Sequence, residues 1–302
     1  MEQQIEDFIG YMREQKGCVE RTCNLYMAHL EDFVECTKVK KAQEITTAHV
    51  SKFLKMLCKK KLKNGTRNHK LIALRRFLLW CLRNNIKTLF YDKVELATQK
   101  YDREPIQLLT EKELKTLLDI ELGTAKDYRD KAMLELLFST GLRVSELVAL
   151  NYKQIDFVSG QFPVRGKGGK IRTVFMSARA KAAVYEYVGF CKDWLTNDSA
   201  LFINTSNRGG KTERLSVRTV QMMIKERADW VGIKKKVTPH LIRHQFATHL
   251  LNGGVDIRIV QEALGHSSIM TTQLYTQISN THLKKAHAGA NLDLNEKDGK
   301  IK

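Results

Sequence analysis

T-P-H-L-I-R-H-Q-F-A-T-H-L-L-N-G-G-V-D-I-R-I-V-Q-E-A-L-G-H-S-S-I-M-T-T-Q-L-Y occupies residues 238–275. Thr238 is a natural N-cap and Pro239 fits the first helical position, so a helix starts here. His240 and Arg243, three residues apart, share one face of its first turns. Ala247, Leu250 and Leu251 form the opposite, core-facing side, and Gly253-Gly254 ends the helix. Asp256 caps a second helix with Ile259, Val260 and Leu264 as its apolar positions, and Gly265 terminates it. His266 then falls at a turn, and Tyr275 lies nine residues on. Two imidazoles, a fixed cation and a phenol thus fall close together beside a helix N-terminus, which attracts anions.

Working outward, the chain has 302 residues, enough for two ordinary domains. Its hydrophobic fraction is 43%, that of a globular protein. No run approaches the ~20 apolar residues of a membrane span. The start, MEQQIEDF, lacks the basic and apolar segments of a signal peptide, so a cytoplasmic location is expected. The formal net charge of +18 implies a polyanionic partner, nucleic acid being the commonest. Six cysteines include no C-x-x-C pair, and five precede residue 82 on stretches of helical spacing; they are expected to be reduced and buried.

The first hundred residues predict a bundle of about four helices. Their stripes are Ile5-Phe8-Ile9-Met12, Leu25-Tyr26-Leu30-Phe33-Val34, Val50-Phe53-Leu54-Leu57 and Leu71-Ile72-Leu74-Phe77-Leu78-Leu82. Asn64-Gly65 reads as the breaker between the last two. From Ser51 to Asn85 there is no acidic residue, while Lys52, Lys55, Lys59, Lys60, Lys61, Lys63, Arg67, Lys70, Arg75 and Arg76 crowd one corner. A charge run is ordinarily a solvated face, but an unbalanced one where two helices meet suits phosphate contact.

Residues 1–85 are therefore expected to form a helical domain, 86–106 a linker, 107–290 a second domain and 291–302 a polar tail. The second domain opens on a Thr110/Glu113 capping box. A helix over roughly 127–140 ends at Gly141, and T-G-L-R-V-S-E-L (140–147) begins another. The stretch R-G-K-G-G-K-I-R (165–172) predicts a β-hairpin turning at Gly168-Gly169, with Lys167 at its edge. Helices over about 178–195 and 217–231 follow; the second is expected to bury Val220, Met223, Ile224 and Trp230. Leu201-Phe202-Ile203 reads as a short strand, and Leu283, Ala286 and Ala288 suggest a last short helix.

His240 and His244 have metal-ligand spacing, but Leu241 stands where H-E-x-x-H needs its glutamate, and no metal or cofactor is expected. Taken together, 140–147, 165–172, 240–251 and 264–276 resemble the tyrosine recombinase (phage integrase) family, most of all its Xer-type members and related transposon integrases. The resemblance covers nearly the whole chain and implies a mainly α fold with a small hairpin sheet in the second domain. It implies an N-terminal four-helix, SAM-like core-binding domain before the catalytic domain. Its catalytic set falls on Arg143, Lys167, His240, Arg243, His266 and Tyr275, with Lys170 the neighbour that could be confused with Lys167. Ile242 and Gln245 depart from the usual Leu and Ser or Thr.

The chemistry agrees with that set. Two guanidinium forks suit the nonbridging oxygens of a phosphodiester, and a tyrosine can hold the cleaved strand as a phosphotyrosine without a nucleotide cofactor. Glu146, one turn after Arg143, either orients Arg143 or His266 or makes a surface ion pair. The resemblance implies a site-specific recombinase that forms a 3′-phosphotyrosine and a Holliday junction on inverted-repeat core sites in duplex DNA. It implies a tetramer in the synapse, and leaves open dimer resolution, integration or excision, cointegrate resolution and any accessory proteins. A catalytically inactive DNA-binding protein of the same fold and a type IB topoisomerase-like enzyme are the alternatives.

Overall fold

The computed structural model describes residues 1–97, 107–166, 169–196, 199–205 and 213–265. The chain divides into two compact units, Met1–Glu104 and Pro105–Lys302. Among the described residues no helix is long and apolar enough to cross a membrane.

The first unit holds α1 (Glu2–Glu14), α2 (Glu20–Thr37), α3 (Thr47–Lys59) and α4 (Asn64–Arg83). Their apolar stripes converge on Phe8, Leu30, Phe33, Phe53, Leu57, Leu71, Leu74, Phe77 and Leu78, all at most 1% exposed. Phe33 meets Phe53 edge-on at 5.2 Å, and Phe8 meets Phe77 edge-on at 5.6 Å, the geometry that ring quadrupoles favour. Each such buried side chain contributes roughly 1.5–3 kcal/mol relative to exposure.

Several expectations fail in this unit. Leu25 is half exposed, and Cys23 takes the buried position on that turn of α2. Asn64-Gly65 does not break the chain but opens α4, where a glycine in the first turn costs little. The break falls at Lys60–Lys63, with Lys61 in the left-handed region at φ 50°. All six cysteines are free thiols, but Cys58 is exposed. The stretch expected as a linker is partly built into this unit: Val94 is fully buried, and Asn68 exchanges two hydrogen bonds with the backbone of Ala97.

The second unit is built around α6 (Ala125–Thr140), between α5 (Glu111–Leu118) and α7 (Val144–Ala149). Ala132, Met133, Leu134, Leu136 and Leu137 are buried on every side of α6, as in a helix at the centre of a core. It packs on α8 (Ala178–Phe190) and α10 (Pro239–Asn252). Its buried charges are paired: Arg129 grips Asp130 through two hydrogen bonds of 2.9 and 2.7 Å, and Glu135 accepts from Arg179 at 2.5 Å. Burial pushes the Glu135 carboxyl above its ordinary range even so.

One antiparallel hairpin, β1 (Gln161–Arg165) and β2 (Ile171–Phe175), pairs Phe162 with Val174 and Val164 with Arg172. Gly169 turns it at φ 78°; Lys167 and Gly168 lie outside the described residues. The remaining helices are α9 (Val217–Trp230) and α11 (Ile257–Leu264). Helix α8 stops at Phe190, short of the expected 195. The stretch 201–203 is buried and, among the described residues, makes a single isolated bridge, Ile203 with Arg214, rather than a strand. Trp230 is 84% exposed and Ile259 59% exposed, against expectation. Both sit one step off stripes that Val220-Met223-Ile224 and Val260-Leu264 already complete.

Candidate active site

The site grows from the end of α6. Gly141 adopts φ 60°, ψ 24° and serves as C-cap, its N–H donating to Leu137 O at 3.0 Å. The chain reverses through Leu142, which is fully buried, and Arg143 becomes the N-cap of α7. Glu146, at the third position of that helix, reaches back as a capping-box glutamate does. Its Oε2 accepts from the Arg143 backbone N–H at 3.0 Å, and its Oε1 from Arg143 Nη1 at 2.8 Å.

A second cation completes this carboxylate. Arg172, on β2, donates Nη1 to Oε1 at 3.1 Å and Nη2 to Oε2 at 2.8 Å. The Glu146 side chain is only 5% exposed, so it is no surface ion pair. Burial raises its proton affinity, but the hydrogen bonds from Arg172 and from Arg143 more than offset this, and the carboxyl stays below its ordinary range.

The N-cap of α10 forms as the sequence implies, with Thr238 accepting from Leu241 N–H at 3.1 Å. Arg243, one turn in, is 5% exposed. Its Nη1 donates to Gly141 O and its Nη2 to Leu264 O, both at 2.6 Å. Arg143 Nη2 donates to Gly265 O at 3.2 Å, and Arg172 Nε to Ala263 O at 3.1 Å. Three consecutive carbonyls at the end of α11 thus each receive one guanidinium, from three different elements. Terminal carbonyls lack helical partners and carry the negative end of the helix dipole, which explains why cations gather there.

Arg143 and Arg243, distant in sequence, are therefore brought together on Leu264, Gly265 and Gly141. His240 is exposed, one helical turn before Arg243. His244, on the next turn, is held below the ordinary imidazole range, first by burial and then by the charges of His240 and Arg243. Lys167, His266 and Tyr275 lie outside the described residues. Among the described residues no group of three or more His, Cys, Asp or Glu side chains is placed to hold a metal ion.

Two residues acquire a place that sequence reasoning had not given them. Gln245 is a clamp: its Oε1 accepts from Leu109 N–H at 3.0 Å and its Nε2 donates to Leu109 O at 3.1 Å. Arg172 is the other. Its signal was available, because β2 alternates outward Ile171, Thr173 and Phe175 with inward Arg172 and Val174, and a charge on the inward face needs a partner. Three guanidiniums against one carboxylate leave this cluster two positive charges in excess, in a form suited to a phosphate with its charge spread over several oxygens.

The architecture defines a class. It matches the solved structure of the XerH site-specific recombinase bound to palindromic difH substrate with a TM-score of 0.73, at 22% identity, over 95% of this chain and 84% of that one. A lambda integrase dimer bound to a COC′ core site gives 0.70 at 18% identity, over 100% of this chain and 99% of that one. The fold is thus that of the DNA recombinases and integrases.

Residues 107–282 match the phage integrase family, and residues 5–85 its N-terminal SAM-like domain. The tyrosine recombinase XerD of Oceanobacillus iheyensis is 35% identical over 292 residues, covering 94% of this chain and 96% of that protein. The tyrosine recombinase XerC of Roseiflexus castenholzii is 33% identical over 299 residues, covering 95% and 93%. The chain belongs to the phage integrase family, and it is a tyrosine-type site-specific recombinase.

Proposed function

We propose that this recombinase cuts and rejoins duplex DNA at a core site of two inverted half-sites, with Tyr275 as nucleophile. The observation that carries the reading is the convergence of Arg143 and Arg243 on one helix end, Arg243 held by two backbone carbonyls and Arg143 by one carbonyl and the Glu146 carboxylate. Cations fixed before substrate arrives need no reorganisation as charge builds on the phosphorus.

In this scheme the Tyr275 phenolate oxygen bonds to phosphorus and the bond to the 5′-oxygen breaks, leaving a 3′-phosphotyrosine. Arg143 and Arg243 neutralise the nonbridging oxygens. Lys167 gives its proton to the departing 5′-oxygen. His240 and His266 hydrogen-bond the phosphate, and one of them takes the phenolic proton. Attack by the 5′-hydroxyl of a partner strand reverses the step, so bond energy is kept without a nucleotide cofactor. One strand exchange gives a Holliday junction, and a second resolves it.

Two protomers occupy each site and four form the synapse. The exposed lysines of α3 and of the turn into α4, Lys52, Lys55, Lys59, Lys60, Lys61 and Lys63, contact phosphates. Chromosome or plasmid dimer resolution, integration with excision, and cointegrate resolution all use this chemistry.

The test is a nicked suicide substrate carrying inverted repeats from the DNA around the protein's own gene. A covalent protein–DNA band with the native chain, absent with Tyr275→Phe, is expected. Tight binding to the true site without any band would instead identify an inactive DNA-binding member of the fold. Cleavage with no preference for an inverted repeat would identify a topoisomerase-like enzyme.

A further inference from the structure

We infer that Arg172 is a positioning residue for strand cleavage, acting through Glu146 on Arg143 and through Ala263 on the chain that leads into His266. The inference rests on the assignment of Arg143 to the phosphate.

Arg172 is placed by the hairpin rather than by solvent. Its side chain is 12% exposed, against 28% for Arg143, so it is poorly sited to touch DNA itself. What it touches is informative. Glu146 has two oxygens, and each accepts one bond from Arg143 and one from Arg172. The carboxylate is therefore held on both sides, and the plane it presents to Arg143 is set by Arg172. A lysine here would keep the charge but could not span both oxygens while also donating to Ala263 O, because that takes the three nitrogens of a planar fork.

The second arm bears on α11. Arg172 Nε meets Ala263 O, and the guanidinium lies against Gly265, where an added Cβ would stand 3.1 Å from Nη1 and 3.3 Å from Cδ. Gly265 sits at φ 62° and its carbonyl accepts from Arg143 Nη2. One side chain on β2 thus sets both the carboxylate that orients Arg143 and the helix end that receives it. Without Arg172, Glu146 would be a buried carboxylate with one cation, free to swing or to take up a proton.

The experiment is a double-mutant cycle on single-turnover formation of the covalent complex, with protein saturating a suicide half-site. Arg172→Lys is expected to slow cleavage roughly 10- to 100-fold, the scale of a small misplacement of a reacting group. Half-site affinity should stay within about threefold and the thermal melt should stay cooperative. Arg143→Lys alone should be slower still, and the double variant should match it within about threefold, because residues that act through one another are not additive. A purely structural role would give multiplying effects. Cleavage by Arg172→Lys at the native rate, or effects that multiply, would overturn the inference. Native cleavage by Arg143→Lys would overturn the assignment beneath it instead. If Arg172→Lys fails to fold, Arg172→Gln is read through the same cycle: a slowed rate that does not multiply with Arg143→Lys would support the inference, and a native rate or multiplying effects would refute it.

Discussion

Replacing Gly141 with alanine should damage the protein well beyond an ordinary glycine substitution. Gly141 sits at φ 60°, where an L-residue is strained by roughly 1–2 kcal/mol. Its new methyl would also overlap the Phe246 ring, lying 2.8 Å from Cε1, and stand 3.0 Å from Leu264 Cδ2. Overpacking of this kind costs roughly 1–3 kcal/mol, giving a total of roughly 2–5 kcal/mol. Gly232 supplies the control: at φ 74° it shares the backbone strain, but an added Cβ would meet nothing within 4 Å. Gly232→Ala should therefore cost only the strain, roughly 1–2 kcal/mol. Both residues belong to the second unit, so urea unfolding followed by circular dichroism compares them directly. Gly141→Ala should in addition slow cleavage at saturating DNA, because the Gly141 carbonyl holds Arg243 Nη1. Equal losses of stability in the two variants would refute the reasoning.

Two further predictions concern charge. His244 titrates below its ordinary value of 6.5 in the folded chain, so the unfolded chain takes up its proton first as pH falls. Its contribution to stability is complete above about pH 6.5 and is lost as pH drops through the lower folded value. His244→Gln should show a smaller fall in urea midpoint between pH 7.5 and 5.5 than the native chain, and an identical fall would count against the assignment. On α3, the exposed Lys52, Lys55 and Lys59 should anchor phosphates. Replacing all three with glutamine should flatten the log–log salt dependence of binding by about 0.9 for each phosphate left unneutralised, measured by gel shift, and an unchanged slope would exclude this face from the interface.

The helices were legible in the sequence wherever an apolar stripe ran through the middle of an element and a cap marked its start. Thr110 with Glu113, Thr238 with Pro239, and Gly141 all did what their chemistry requires. Readings failed at stripe edges: Leu25, Trp230 and Ile259 are apolar at near-helical spacing, yet neighbours one step round the helix already fill the core. Asn64-Gly65 misled because the same dipeptide suits a turn and a helix start. Not every cation of the basic corner is free of a protein partner: Lys70 is paired with Asp32 on α2 and Arg75 lies over the Tyr91 ring, partners that no local reading of 51–85 could supply. Within the site, Arg143 and Arg243 were named from motif and chemistry. That they share one helix end, and that Arg172 sustains it, depends on hydrogen bonds spanning 91 and 122 residues, which leave no local mark.

That helix end also bears on when the recombinase becomes competent during its own synthesis. An isolated eight-residue helix such as α11 is not stable in water, and among the described residues its fully buried cluster with α10 is small, Ala247, Val260 and Leu264, with Phe246, Leu250, Leu251 and Val255 packed against it. Two of the three guanidiniums that meet its last carbonyls, those of Arg143 and Arg172, belong to segments that emerge from the ribosome far earlier. The N-terminal bundle, with a core of its own, can condense while most of the chain is still unmade. Arg143 and Arg172 meanwhile wait for carbonyls not yet translated. A nascent chain can therefore be folded at its front and still lack the helix end that gathers its arginines, so that the cluster of guanidiniums assembles late in folding.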